Sequence, residues 1–210
     1  MNFINVEQYQ FVKKQAKKVL NTYITTKDPQ VIQAVQALVT QEINEKLGDM
    51  SVEHVLLLQP ILKIETKEQL EQFISDLKQY VEPFEISSEV AIKKLFPKDK
   101  KLKIPALEKV DLREITYLSW IDSGTNRKYL VYWENDVLKG VRGVFSHSDK
   151  RGICSICNQL TKVGLLMVSK SGTSLGTYIK RGNYICADSE ICNNGLSERH
   201  RLIDFVNNLQ

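Results

Sequence analysis

The sequence predicts an α+β protein, with an N-terminal antiparallel helical bundle over residues 1–82 and an antiparallel-sheet domain over residues 83–210 organised around four cysteines. Three observations carry that expectation. Apolar residues in the first part recur every three or four positions, the period of an amphipathic helix. From Ile115 the pattern changes to short runs of β-branched and aromatic residues, the mark of strands. All four cysteines fall between positions 154 and 192.

In the first helix Tyr9, Val12, Ala16, Val19 and Tyr23 form one stripe, with Lys13, Lys14, Lys17 and Lys18 on a solvated face. Thr25-Thr26-Lys27 breaks the helix. Asp28 reads as an N-cap with Pro29 at the first helical position, and Val31, Ala34, Val35, Leu38, Ile43 and Leu47 continue a second helix that Gly48 ends. Ser51 caps a third, short helix through Val55, Leu56, Leu57 and Leu58, stopped by Pro60. Thr66 with Gln69 is a capping box opening a fourth, which Leu70, Phe73, Ile74 and Leu77 carry to about Tyr80. Four amphipathic helices joined by short polar turns imply the bundle. His54 has no ligand-type neighbour in sequence and is expected to be satisfied or exposed.

Composition shifts after Val81-Glu82-Pro83. Ser87 or Ser88 caps one or two helical turns ending near Phe96-Pro97, and the basic, proline-punctuated run 98–105 reads as an exposed connector or edge segment. Strands are expected over 115–121, 127–133 and 138–145, separated by turns at Ser123-Gly124-Thr125-Asn126 and Asn135-Asp136, giving an antiparallel meander. The tryptophans and tyrosines there are read as sheet packing in preference to a base-stacking platform.

Charge divides the chain as well. Residues 1–92 hold nine Lys/Arg against thirteen Asp/Glu, and residues 93–210 hold twenty against twelve, so the +4 total combines a −4 half with a +8 half. The second half is suited to an acidic partner or to nucleic acid. At 42% hydrophobic and 26% charged residues, the composition excludes a wholly disordered chain. No apolar run approaches the roughly 18 residues of a membrane span. The first residues lack a basic stretch followed by an apolar one, so a cytoplasmic location and reduced cysteines are expected. No P-loop, GxSxG, GxGxxG or HExxH pattern is present, and a binding protein is expected in preference to an enzyme.

The cysteines carry the chemistry: Cys154-x2-Cys157, then 28 residues, then Cys186-x5-Cys192. Two residues between cysteines let a tight turn aim both sulfurs at one ion, and Asn158 behind them tolerates the turn. Val163–Val168 and Thr177–Ile185 read as a hairpin, with its turn over Ser169–Gly176, that returns Cys186 to the first pair. Cys192 precedes a last helix that Ser197 caps and that buries Leu202, Phe205, Val206 and Leu209. Knuckle, hairpin and a ligand near a helix start make a treble-clef-like layout for one structural zinc ion held by Cys154, Cys157, Cys186 and Cys192; four thiolates close the coordination sphere. A thioredoxin-type redox pair at Cys154 and Cys157 is the rival reading, but it leaves the other two cysteines unexplained. His147 is a further possible ligand, treated as a surface residue because four sulfurs already complete the set. The region after Cys154 reads as poor in apolar residues and dependent on metal to fold.

At these residues the sequence resembles the FusB-type fusidic acid resistance proteins, which bind elongation factor G. Asn126-Arg127-Lys128-Tyr129, Leu138-Lys139-Gly140, Cys154-Ser155-Ile156-Cys157-Asn158, and 178–186 with Cys192-Asn193 carry the likeness, strongest from about 95 to 210. Glu82-Pro83-Phe84-Glu85 and Lys103-Ile104-Pro105 extend it through the chain. The resemblance implies a non-catalytic protein of the cytoplasm that binds elongation factor G on or off the ribosome. It implies release of the factor from drug-stalled ribosomes, without binding or modifying the drug, through a zinc domain that supplies most of the contact. By resemblance the partner contacts are Ile153, Lys180, Arg181, Tyr184 and Phe205. The alternative is a zinc-containing RNA- or ribosome-binding module that does not need the factor, and direct RNA contact is also open under the first reading.

Overall fold

The computed structural model describes residues 2–171 and 177–209. The chain divides into two compact units, Met1–Pro83 and Phe84–Gln210.

The first unit begins with strand β1 (Ile4–Asn5), followed by helices α1 (Val6–Thr25), α2 (Pro29–Leu47), α3 (Val52–Leu58) and α4 (Lys67–Lys78), then strand β2 (Val81–Glu82). Asn5, Asp28, Ser51 and Thr66 are the N-caps, the first and last as full capping boxes. Tyr9, Val12, Ala16 and Val19 are fully buried, as the helical stripe requires. The stripe of α2 is rotated from the expected one: Val39 and Ile43 are buried, while Val31 and Leu38 stay exposed. Helix α2 packs chiefly against α1, so its Val39–Ile43 edge joins the core and the Val31–Leu38 edge stays exposed. Pro60 does not stop the chain's helicity at once; it sits in that 3-10 turn. β1 and β2, which the sequence did not reveal, pair in parallel (Ile4 with Val81) and close the unit on itself. His54 stacks on Phe3 with ring centroids 4.0 Å apart.

The second unit contains α5 (Glu89–Leu95), capped by Ser88, and strands β3 (Leu118–Asp122), β4 (Arg127–Glu134), β5 (Val137–Ser146), β6 (Arg151–Ile153), β7 (Leu160–Ser171) and β8 (Tyr178–Cys186). Two short helices follow, α6 (Ser189–Gly195) and α7 (Arg199–Leu209). β3, β4, β5 and β7 lie in that order, all neighbours antiparallel, and β7 carries both β6 and β8. Asn126, Asn135 and Asp136 adopt positive φ, the conformation tight hairpin turns demand. The expected β7–β8 turn at 172–176 lies outside the described residues.

Strand β4 is buried on both faces. Because side chains alternate along a strand, Tyr129 and Val131 enter a core with Phe84, Ile92, Phe96 and Leu118, whereas Leu130 and Tyr132 enter one with the cysteines, Phe145 and α7. This two-layer arrangement corrects the reading of 98–105 as a connector. Asp99 is held by Arg127 (3.0 Å), Arg142 and the Tyr129 hydroxyl (3.2 Å), and Leu102 and Ile104 pack on the first of these cores. It also corrects the expectation of an apolar-poor end: Ile156, Val163, Leu166, Ile185, Leu196, Leu202, Phe205, Val206 and Leu209 all join the cysteine-side core. The expected strand over 115–121 begins later, at Leu118, since Thr116 and Tyr117 bond to a side chain instead of to a neighbouring strand.

Candidate metal centre and docking face

The β6–β7 connection is a tight turn made by Cys154 to Asn158. The Asn158 amide donates to the Cys154 carbonyl (2.9 Å), Cys154 donates to the Gln159 carbonyl (3.1 Å), and Asn158 takes a positive φ of 56°. Both sulfurs of the pair are thereby turned to the inside of the knuckle. β8, hydrogen-bonded along β7, delivers Cys186 opposite them, with Val163 as its register partner. Cys192 comes from α6, a seven-residue helix capped by Asp188 that sequence reasoning missed; the residue precedes the last helix, α7, as expected, but itself sits inside α6. The signal was present in Asp188-Ser189-Glu190, an N-cap with acid in the first turn.

The four Sγ atoms lie within 4.8 Å of one another, with Cys154 to Cys192 at 3.7 Å and Cys157 to Cys186 at 3.5 Å. Sulfurs at about 2.3 Å from a tetrahedral zinc stand about 3.8 Å apart, so the donor set fits that ion in number, chemistry and spacing. The amides of Ile156 (3.4 Å) and Cys186 (3.3 Å) donate to Cys154 Sγ, bonds that favour thiolate over thiol. Hydrogen bonding by the Cys157 thiol, and then by Cys186 and Cys192, pulls the Cys154 pKa far down; that same sulfur pushes Cys186 and Cys192 up. Four buried sulfurs this close to one another form a donor set that a cation completes. Gly195 is required by close approach: a Cβ there would fall 2.8 Å from Gln159 Cγ and 3.3 Å from Cys157 Cβ. The knuckle lies in a strand-to-strand turn, which is not the helix start that a thioredoxin-type pair uses.

Three further residues support the centre and escaped sequence reasoning. Asn193, buried, accepts from the amides of Thr116 (2.7 Å) and Tyr117 (3.2 Å) and donates to the carbonyls of Tyr117 (3.1 Å) and Ser189 (3.0 Å), tying α6 to the start of β3. Tyr117 is buried against Cys192, and burial raises its pKa well above the ordinary tyrosine value. Lys128, 1% exposed, is a lysine placed on the core side of β4 by the same alternation that buries Leu130. A charged residue in phase with core residues was the legible hint.

The residues expected to meet a partner surround this centre. Ile153 (63% exposed) ends β6 beside the knuckle, and the β6–β7 register pairs it with Leu160, also exposed, which the sequence did not single out. Tyr184 is half-exposed on β8, and its carbonyl accepts from the Ser155 amide (2.9 Å), fastening the strand to the knuckle. Lys180 and Arg181 are exposed four and three residues before Tyr184 on β8, which puts Arg181 on the face opposite Tyr184, and the Arg181 guanidinium donates to the Asn208 carbonyl of α7 (3.4 Å). Phe205 is 5% exposed and belongs to the core, reaching the surface only in the wall of a 590 Å³ groove that Lys180, Arg181, Asn183, Arg201 and Asp204 also line. His147 is exposed, its ring edge-on to Phe145 and away from the cysteine set. Among the described residues, no helix is long and apolar enough to cross a membrane.

Comparison with known proteins follows the same division. The family model described as "Elongation factor G-binding protein, N-terminal" matches residues 3–85, and that described as "FBP C-terminal treble-clef zinc-finger" matches residues 93–203. Among solved structures the chain is similar to one titled "Structure of the fusidic acid resistance protein FusC", at 34% identity and a TM-score of 0.88, over 100% of this chain and 99% of that one. The comparison with curated proteins found no match. Donor geometry and the treble-clef match together give the protein one structural zinc ion.

Proposed function

The chain belongs to the FusB-type family of fusidic acid resistance, elongation factor G-binding proteins, and from that premise we propose that it binds elongation factor G through its zinc-bearing unit and promotes the factor's release from ribosomes stalled by fusidic acid. The contact surface in this reading takes in both faces of the outer part of β8 with the adjoining knuckle and α7: Lys180 and Tyr184 on one face, Arg181 on the other beside α7, with Ile153 at the knuckle and Phe205 forming the groove wall. The observation that carries it is an exposed tyrosine and arginine on a strand whose end is fixed by a metal ligand. Tyrosine and arginine are favoured anchors because each joins a large contact area to directed hydrogen bonds. A rigid platform lowers the ordering cost of association. Basic residues at its rim hasten encounter with an acidic partner.

The zinc supplies no chemistry of reaction; it cross-links the knuckle, β8 and α6. The protein acts in this account by binding alone, in the cytoplasm, on the drug's target and not on the drug. A binder shifts the factor between ribosome-locked and released states only by its differential affinity for the two. Drug-stalled ribosome complexes sedimented with and without the protein test the proposal. Factor moving from the ribosomal pellet to the supernatant is the expected result, and full retention on ribosomes rejects it.

A further inference from the structure

We propose that Lys128 is the counter-charge of the zinc–thiolate centre, a buried positioning residue that offsets the negative charge of the four cysteines and fastens the segment between two of the ligands. The proposal goes beyond factor binding and does not depend on it.

Zinc with four thiolates carries two net negative charges, and holding such a charge inside a core is costly without an opposing one. Lys128 enters that core from β4, between Ile121 of β3 and Gly143 of β5. Its Nζ donates to the Cys186 carbonyl (3.3 Å), the Ala187 carbonyl (3.1 Å) and Ser189 Oγ (3.2 Å), and it lies 5.0 Å from the centre of the Phe145 ring. An ammonium has three donors and no acceptor. Three acceptors, two of them carbonyls that can only accept, match that form of the side chain. The bonded stretch is the one that runs from ligand Cys186 into α6 and ligand Cys192, so one cation serves both the charge and the geometry of the site. The nearest rival for the lysine's charge is Asp188, but its carboxylate is exposed and engaged in capping α6, accepting from the Glu190 amide (2.8 Å). A lysine placed for ordinary stability would occupy a surface, since unpaired lysines are almost never fully buried.

The test is zinc release from the full, zinc-loaded chain into excess colour-forming chelator. K128Q, which keeps hydrogen-bond donors without charge, and K128M, which keeps neither, should each release zinc roughly 10–100-fold faster than the unsubstituted chain, the usual cost of losing an outer-sphere partner. D188N, which still caps α6, should release at the unsubstituted rate. In cobalt-loaded protein the thiolate-to-metal absorption should move to longer wavelength in both Lys128 variants, because removing a neighbouring cation raises the energy of the sulfur electrons. Unchanged release and an unmoved band in K128Q would reduce Lys128 to a hydrogen-bonding strut and overturn the proposal, and so would a D188N that behaves as K128Q does. Should neither Lys128 variant fold, the unsubstituted chain decides: one lysine ammonium must give a slowly exchanging side-chain NMR signal near neutral pH, and its absence overturns the proposal equally.

Discussion

Polar bonds in the helical unit are mostly local. Asn5, Asp28, Ser51 and Thr66 each accept from an amide two or three residues further on, and what joins the helices to one another is chiefly apolar, with exceptions such as the bond from Gln36 to the Leu62 carbonyl (2.7 Å). In the zinc unit the decisive polar bonds span long stretches of chain: Asn193 to Tyr117, Lys128 to Ala187, Asp99 to Arg142, Trp133 to Glu85. The first unit is held by burial, which is non-directional and tolerant of sliding. The second adds to its two apolar cores bonds that fail if any partner shifts by an ångström, which is the property a docking surface needs.

Metal removal breaks this comparison hardest. Structural zinc contributes on the order of 10 kcal/mol or more to folding, so an excess of a strong chelator should abolish protection of β6, β8 and α6 in hydrogen exchange while leaving α1 and α4 protected. Loss of protection in both units together would contradict the division. Because nine apolar residues beyond Cys154 are buried, residual structure in the β3–β5 meander is expected to persist, contrary to what the sequence alone implied.

The next largest effect contrasts one residue from each unit. Phe73→Ala empties a buried site in α4 and should cost about 3–5 kcal/mol in denaturant unfolding of the helical unit, with zinc affinity untouched. Asn193→Ala strands the amides of Thr116 and Tyr117 in the core and should cost about 2–4 kcal/mol, here accompanied by weaker zinc binding, since Cys192 is its neighbour. Equal zinc affinity in the two variants would sever the link drawn between α6 and β3.

These differences also explain what was legible. Caps, stripes and the spacing of the four cysteines are short-range patterns, and Asp28-Pro29, Thr66-Gln69 and Asn135-Asp136 each do in the fold what their local chemistry requires. The zinc set was readable for the same reason: each pair obeys a local spacing. Asn193 and Asp99 were not readable, because a polar residue that meets its partner dozens of positions away leaves no periodic trace; Lys128 left only its phase with Leu130 and Tyr132, which marks burial and not the partner. The rotation of the α2 stripe belongs to that class, being set by which neighbours cover the helix and not by the helix itself. Leu160 shows the middle case: its meaning follows from Ile153 once the β6–β7 register is known.

A smaller effect sharpens the contrast through pH. Burial, and then the Asp99 carboxylate, raise the Tyr129 pKa above the ordinary tyrosine value, where the hydroxyl donates to Asp99. A raised folded value means the folded state keeps its proton longer than the unfolded one, so this contribution is complete below about pH 10 and is lost as pH climbs through the folded value. The zinc unit should therefore weaken with rising pH above that point, and Tyr129→Phe should flatten the slope. An unchanged alkaline slope in Tyr129→Phe would remove Tyr129 as its cause.

The most direct test of the account is a titration of purified elongation factor G into the full zinc-loaded chain and into its Arg181→Ala/Tyr184→Ala variant, with hydrogen exchange confirming that both keep the same fold. Both side chains are exposed, so the fold should survive, while affinity for the factor should fall by roughly 100-fold or more, the scale of two lost interface anchors. Native affinity in the folded double variant would contradict the claim that the face built on the zinc centre is where the factor docks.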